Sequence, residues 1–201
     1  MSNETKPAAA EKPEQLLMHW FPGTEIPHYE MPEGCSISTF QGLEDIYPWE
    51  ICSGKTLMPR FGKDEVALLD HSVNLYEDIL FLDENGKHVG TVTAFKVKKT
   101  GHGHIHQVGL DPECRGRGLS KYMMEAAMHH IAAMDIPFAE LTTDDHRVGA
   151  VKLYLNFGWV PIMYGKPDKR ERWGKLLTLL GIPSCPAYDI KGNRLEDIMP
   201  V

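Results

Sequence analysis

The sequence has few cysteines, no two of them close together, and no excess of positive charge. Cys35, Cys52, Cys114 and Cys185 are far apart in the 201 residues and form no Cys-x-x-Cys pair. We therefore expect reduced thiols in a cytoplasmic protein, with a disulfide as the less favoured alternative. The formal net charge of −7 argues against nucleic-acid binding, which usually requires a basic face. That charge is compatible with a cationic or amine substrate, although it also simply keeps a protein in solution.

Long apolar segments are missing as well. No run approaches the roughly 20 apolar residues that a membrane-spanning helix needs. Residues 1–14 are polar, rich in Ala, Pro, Glu and Lys, and lack the apolar centre of a signal peptide. We therefore predict no membrane partner, a disordered tail over residues 1–14 and a single domain over residues 15–201.

The remaining pattern predicts a β-meander followed by a β-helix-β-helix-β order. Asn85-Gly86 supplies the backbone conformations of a tight hairpin turn between two strands. Residues 15–34 contain three prolines and are predicted to form an irregular arm over the domain, and residues 56–75 to be helical or irregular. The sequence therefore predicts a mixed, mostly antiparallel sheet flanked by helices, an α/β (α+β) fold. The predicted strands are 37–40, 78–82, 89–97, 104–110, 138–143, 159–164 and one near 187–190; the predicted helices are 43–52, 119–134, 147–156 and 169–180.

Residues 104–120 are the most informative stretch. An alternating strand leads into a glycine-rich turn and then directly into a helix. Such a turn directs backbone N–H groups and the positive end of a helix dipole towards one point, which favours a phosphate. Arg115 and Arg117 add cationic side chains. The pattern indicates a phosphate-binding loop beside a strand that carries several histidines.

Two motifs resemble those of the GNAT superfamily of N-acetyltransferases. Arg115-Gly116-Arg117-Gly118-Leu119-Ser120 is similar to its acetyl-CoA motif, Gln/Arg-x-x-Gly-x-Gly/Ala, with Ser at the last position. Ala150-x-x-Leu153-Tyr154-x-x-x-Gly158-Trp159 is similar to its Ala-x-x-Leu-Tyr-x-x-x-Gly-Phe segment. One glycine-rich turn is weak evidence, but two motifs in the right order and context are strong. The resemblance covers about residues 36–165 and implies a parallel, splayed strand pair at the cofactor site.

The resemblance implies acetyl-CoA as the cosubstrate. Its pyrophosphate would lie on the backbone N–H groups of the loop, and its pantetheine arm along the strand that ends at Leu110. Gly109 suits the bulge that often splays the two strands, and an N–H group at Gly109 or Leu110 would polarise the thioester. The implied cofactor-binding residues are Val108, Gly109, Leu110, Arg115, Gly116, Arg117, Gly118, Leu119, Ser120, Arg147 and Tyr154, where Arg147 stands at a position that often carries Asn.

The chemistry needs a proton donor for the departing thiolate and a proton acceptor for the amine. Tyr154 matches the tyrosine that commonly donates to the sulfur in this superfamily. His102, His104 and His106 are spaced by two and face one way on a regular strand. His104 or His106 is the candidate base or relay, as in the His-x-His pair of arylalkylamine N-acetyltransferases.

Two other interpretations of the histidines stay open. They are structural or solvent-facing, with water as the base, or they form a metal site, although no carboxylate or cysteine nearby in sequence completes a ligand set. We assign no metal ligand from the sequence. Glu50, Glu77 and Glu140 remain candidates for a base from elsewhere in the chain.

The predicted function is acetyl-CoA-dependent transfer to a primary amine of a small molecule. The alternatives are acetylation of a protein or peptide, and a module that binds acyl-CoA without catalysis. The predicted partners are acetyl-CoA and the amine, and a homodimer is an expectation from the family alone.

Overall fold

The computed structural model describes residues 13–55 and 72–201. These residues form one eight-stranded sheet with helices on its faces, as the sequence predicts. The strands are β1 (Leu16–Trp20), β2 (Cys35–Thr39), β3 (Ile79–Glu84), β4 (Lys87–Lys96), β5 (Gly103–Leu110), β6 (Ala139–Thr143), β7 (Val160–Met163) and β8 (Tyr188–Asp189). The helices are α1 (Ile46–Ser53), α2 (Leu75–Asp78), α3 (Ser120–Ala132), α4 (Val148–Asn156) and α5 (Lys169–Leu180). Most of the segment 56–75, for which helical or irregular structure was predicted, lies outside the described residues.

The sheet is mostly antiparallel, in the order β2-β3-β4-β5-β6-β1-β7-β8. Its parallel neighbours are β5 with β6 and β7 with β8. Among the described residues, no helix is long and apolar enough to cross a membrane.

The prediction of an irregular arm over residues 15–34 is wrong for its first part. Leu16–Trp20 form a central strand, antiparallel to β6 on one side and to β7 on the other. All five residues are buried. Leu16, Met18 and Trp20 join a large apolar cluster on one face, and His19 on the other face stacks on Phe138. Such a run has no alternation, and the prolines that suggested an arm lie beyond it, from Pro22 onwards.

The two faces of the sheet carry separate cores. Along β3, Leu80 and Leu82 belong to a large cluster with α3 and α5, whereas Ile79 and Phe81 belong to a small cluster with Trp49 of α1. Successive side chains of a strand point to opposite faces, so α3 and α1 cover opposite faces of the sheet.

The parallel pair opens at the centre of the molecule. β5 pairs with β6 only at Gly103↔Ala139 and His104↔Glu140, so the strands diverge beyond His104. β5 also carries one extra residue opposite β4, where the register shifts between Thr91 and Thr93.

The bulge lies at Gln107, whose φ is +52°, and not at Gly109 as predicted. Gly109 meets a different requirement. A Cβ atom there would lie 2.1 Å from the carbonyl oxygen of Cys52 at the end of α1. The glycine therefore allows α1 to approach β5, and Gln107, two residues earlier, takes the left-handed conformation.

Candidate active site

The glycine-rich loop between β5 and α3 is held in an open conformation. Gly116 and Gly118 have φ values of +77° and +72°, and a Cβ atom at either position would meet nothing within 4 Å. Glycine is therefore required at both positions because of the positive φ, and not because a side chain would lack space. Within the described chain, the backbone N–H groups of Gly116, Arg117 and Gly118 donate to no carbonyl oxygen. They are available to an anion at the start of α3.

A cavity of about 550 Å³ extends from this loop to the bulged end of β5. Its walls come from α1, β5, the loop, α3 and α4. Seven of the eleven residues that the sequence assigns to the cofactor line it. The cavity is lined by Cys52, Ser53, Val108, Gly109, Leu110, Arg115, Gly116, Ser120, Met123, Arg147, Gly149, Ala150 and Leu153.

Arg117 and Leu119 of the loop do not line this cavity. The Arg117 guanidinium donates to both carboxylate oxygens of Glu84, at 2.9 Å and 2.5 Å. Its positive charge is thus shared with the β3–β4 hairpin. Leu119 is 4% exposed and belongs to the large core. Leu119 anchors the loop, and its side chain contributes to packing.

A smaller cavity of about 200 Å³ adjoins the first where β5 and β6 diverge. The two cavities share Ser53, Val108 and Arg147. Tyr154 lines the smaller one, and burial raises the pKa of its hydroxyl to about 12. Tyr154 therefore stays protonated at neutral pH, as a proton donor must.

His102, which directly precedes β5, and His104 and His106 of β5 lie on one face of the sheet, as their spacing predicts. The ring centroids of His102 and His104 are 6.4 Å apart, and those of His104 and His106 are 5.5 Å apart. His106 lines the smaller cavity with Tyr154. The pKa of His104 is lowered to about 4, mainly because the side chain is buried and also because His106 lies close by. His104 is therefore a neutral imidazole near pH 7.

Glu140 joins the histidines from β6. It is the register partner of His104 on one side and of His19 in β1 on the other. His19 Nε2 lies 3.4 Å from Glu140 Oε2, and this contact, against the effect of burial, keeps the pKa of Glu140 below its usual value. Glu140, one of the three unplaced glutamates, thus lies beside the histidine row.

A third cavity, of about 510 Å³, opens on the face of the sheet that carries Glu140 and the histidines. It shares Gln15 and Thr142 with the smaller cavity. Its walls come from the start of β1, from β6, and from the C-terminal part of the chain. It is lined by Glu14, Gln15, Leu17, Glu140, Thr142, Tyr164, Lys169 and Ile190. The three cavities form a row from the glycine-rich loop, past Tyr154, to Glu140.

Sequence reasoning missed several residues of this row. Gln107 lines the smaller cavity, and its buried Nε2 atom has no hydrogen-bond partner among the described residues. Ser53 and Cys52 come from α1, and Gln15 and Thr142 line both the smaller and the third cavity. None of these positions carries a local signal, because their places depend on how α1 and β1 pack. The left-handed Gln107 in particular is indistinguishable from a regular strand residue in the sequence.

Comparison with known proteins gives one family. The family model described as Acetyltransferase (GNAT) family matches residues 43–159. A mycothiol acetyltransferase of Kytococcus sedentarius is 27% identical over 158 residues, which cover 72% of this chain and 53% of that protein. A mycothiol acetyltransferase of Thermomonospora curvata is 27% identical over 152 residues, covering 71% and 51%. The chain spans about half the length of these relatives.

Among solved structures, a GCN5-related N-acetyltransferase from Sphaerobacter thermophilus superposes with a TM-score of 0.57 and 22% identity. The match covers 73% of this chain and 48% of that one. This similarity concerns the fold.

Proposed function

Because the chain belongs to the GNAT acetyltransferase family, we propose that it transfers the acetyl group of acetyl-CoA to a primary amine of a small molecule. The row of three connected cavities carries this proposal. One end has the free N–H groups of Gly116 and Gly118, the middle has Tyr154, and the other end has a carboxylate, Glu140. Acetyl-CoA supplies the thioester, and the protein supplies the anion-binding loop, the proton donor and the acceptor cavity.

The cofactor would lie in the 550 Å³ cavity, because its walls combine free N–H groups with cationic side chains. Arg115 and Arg147 both line it. Arg147 is exposed, and its Nε atom lies 3.2 Å from Asp144 Oδ2. The open edge of β5 beyond His104 would offer its backbone groups to the pantetheine arm, in the manner of strand addition.

The reaction would be a direct transfer. The amine nitrogen attacks the thioester carbonyl carbon, the new C–N bond forms and the C–S bond breaks. Tyr154 donates its hydroxyl proton to the leaving sulfur, and the proton lost by the amine restores Tyr154 through His106 or water. His104 and His106 remain our candidates for accepting that proton, because His106 lines the same cavity as Tyr154 and His104 is beside it.

The acceptor cavity supports a small molecule over a peptide. Both ends of the described chain contribute to its walls, with Gln15 before β1 and Ile190 after β8. Lys169 of α5 is 3% exposed and forms an ion pair with Glu14 at 3.3 Å, and both residues line the cavity. Glu140 would attract a protonated amine. We also propose that residues 15–201 act as one domain, because strands from both ends of that range lie in one sheet.

The curated relatives carry a substrate in their name. Their name, mycothiol acetyltransferase, belongs to proteins about twice as long as the matched region. Mycothiol is therefore not carried over to this chain as a substrate.

The experiment is a CoA-release assay with acetyl-CoA against aromatic amines, polyamines, aminoglycosides and short peptides. Turnover with one class of small amine is the expected result. Turnover with peptides alone would overturn the small-molecule acceptor and retain the enzyme. No turnover at all, with acetyl-CoA binding measured by calorimetry, would favour a module that binds acyl-CoA without catalysis.

A further inference from the structure

Two histidines and one glutamate converge where β5 and β6 pair. His102, His104 and Glu140 each place one potential ligand atom within 4.8 Å of the others. His104 and Glu140 are adjacent Cα partners of the parallel pair. The sequence could not complete this set, because Glu140 belongs to β6, which follows α3 in the chain and is therefore far from the histidines in sequence.

His102 is already oriented as a ligand. Thr100 Oγ1 lies 2.7 Å from His102 Nδ1, which occupies that nitrogen and leaves Nε2 for another partner. The His102 ring stacks on Phe138, with centroids 5.2 Å apart and planes 6° apart. A hydrogen bond to one ring nitrogen commonly fixes the other towards a metal.

His19 reaches the group from the other side of Glu140. It is only 2% exposed, and its Nε2 atom has no hydrogen-bond partner in the described part of the chain. Its nearest acidic group is Glu140, whose Oε2 is 3.4 Å away. His19 also stacks on Phe138, at 4.4 Å, so the two outer histidines share one aromatic support. His19 therefore lies at ion-pair distance from Glu140 without forming a hydrogen bond, and its buried nitrogen is a second observation at this group.

We propose that His102, His104 and Glu140 bind a zinc ion, with His19 orienting the Glu140 carboxylate. Two histidines and one glutamate are the donors of open zinc sites, in which water or a ligand takes the fourth position. Magnesium is a poorer match, because it prefers six oxygen ligands. The site stands on these contacts alone and does not depend on the proposed function.

The ion has both room and access. Zinc–ligand distances of about 2.0–2.2 Å require the three atoms to draw closer together. The Glu140 side chain is 25% exposed and lines the 510 Å³ cavity, so it can rotate towards the histidines. The open position would face that cavity. With zinc bound, His104 would no longer accept the proton of the amine and Glu140 would no longer attract it. The proton would then pass through His106, which lines the same cavity as Tyr154, or through water.

The test is a zinc titration of the untagged, chelator-treated full chain by calorimetry, with bound metal counted by mass spectrometry. We expect one zinc per chain and no comparable binding of magnesium. His104→Ala and Glu140→Gln should each weaken zinc binding at least about tenfold. His102→Ala is the second histidine variant if His104→Ala does not fold by circular dichroism.

The control is His129→Ala, which removes an exposed imidazole of α3 that lies 3.9 Å from Glu125. It should leave zinc binding unchanged. Cobalt serves as the spectroscopic probe, and its absorption should show nitrogen and oxygen ligands. A thiolate charge-transfer band, zinc binding that survives both His104→Ala and Glu140→Gln, or no zinc binding would each overturn the proposal.

Discussion

Tyr154 shows how one residue combines packing with chemistry. It is 6% exposed and packs 6.4 Å from the ring of Trp159, so its aromatic body belongs to the core. Tyr154 nevertheless also lines the cavity where β5 and β6 diverge. A phenylalanine would keep the aromatic packing and remove the hydroxyl group, and with it the proton that the mechanism uses.

We therefore expect Tyr154→Phe to lower the rate of acetyl transfer by about 100-fold, the lower range for a general acid. Acetyl-CoA affinity should be nearly unchanged, because the cofactor cavity keeps its walls. Steady-state kinetics and calorimetry measure the two quantities. Tyr47→Phe, at a 69% exposed tyrosine of α1, is the control. Transfer at the wild-type rate would remove Tyr154 from the mechanism.

Gly109 is the residue on which the approach of α1 to β5 depends. In Gly109→Ala the new Cβ would meet the Cys52 carbonyl oxygen at 2.1 Å, and backbone cannot move as a side-chain tip does. We expect the free energy of unfolding to fall by about 1–3 kcal/mol, as for overpacking. Urea denaturation measures it.

The matched control is Gly149→Ala in α4, where a Cβ would meet nothing within 4 Å. Alanine is favoured over glycine in a helix by up to about 1 kcal/mol, so this variant should be unchanged or slightly more stable. Equal destabilisation of the two variants would contradict the assigned contact.

At the scale of elements, β1 decides the shape of the acceptor side. It separates β6 from β7 and brings Gln15 and Leu17 to the cavity that Glu140 lines. Without it, two strand edges would be exposed in the middle of the sheet. Removing an exposed edge of this kind is a general requirement of stable sheets.

Met18→Ala tests the central place of β1. Met18 is 0% exposed, so the change should lower the free energy of unfolding by about 2–5 kcal/mol. Met199→Ala, at a 58% exposed methionine, should stay within about 0.5 kcal/mol of the wild type. Chemical denaturation compares them. An unaffected Met18→Ala would mean that β1 is a dispensable arm.

A second element-scale contact joins the start of α1 to the β3–β4 hairpin. His88 Nε2 lies 3.0 Å from Asp45 Oδ1, and His88 Nδ1 contacts Asp83 Oδ1. Burial alone would lower the pKa of His88, but the hydrogen bonds to the two carboxylates raise it above its ordinary value of 6.5. Protonated His88 therefore stabilises the folded state.

The sign of the pH effect follows from that raised pKa. Stabilisation by His88 is complete below pH 6.5 and is lost as the pH rises through the folded-state pKa. The excess stability of the wild type over His88→Gln should thus shrink on going from acidic to alkaline pH. Urea denaturation at several pH values measures it, with His129→Gln as the control. An excess that is constant with pH would contradict the arrangement.

At the scale of the whole molecule, one sheet connects both ends of the described chain. The four tryptophans, Trp20, Trp49, Trp159 and Trp173, are each at most 1% exposed. Trp49 belongs to the small core and the others to the large one. The two cores are the two faces of a single sheet, so neither can unfold without disturbing the other.

Tryptophan fluorescence and far-ultraviolet circular dichroism should accordingly report one coincident unfolding transition in urea. Trp49→Phe isolates the signal of the large core, and its transition should still coincide with the circular dichroism. An earlier transition that disappears in Trp49→Phe would show that α1 and the small core unfold separately.

Local signals predicted much of this fold. The helix predicted over 169–180 is α5, because its apolar positions repeat at helical spacing and Gly181, with φ of +67°, ends it. The Asn85-Gly86 turn is likewise as predicted, with positive φ at both residues. Signals of this kind depend on residues that are close in sequence, and the structure has the predicted helix and turn at these places.

The sequence by itself determined the family, the glycine-rich loop and the common face of the histidines, because each depends on residue types at short, fixed spacing. Only the tertiary structure decided that β1 is central, that the bulge falls at Gln107, and that Glu140 meets His102 and His104. The physical reason is that pairing between distant strands sets these features. The free energy of that pairing comes from burial and hydrogen bonds made by both partners together, and neither segment shows it alone.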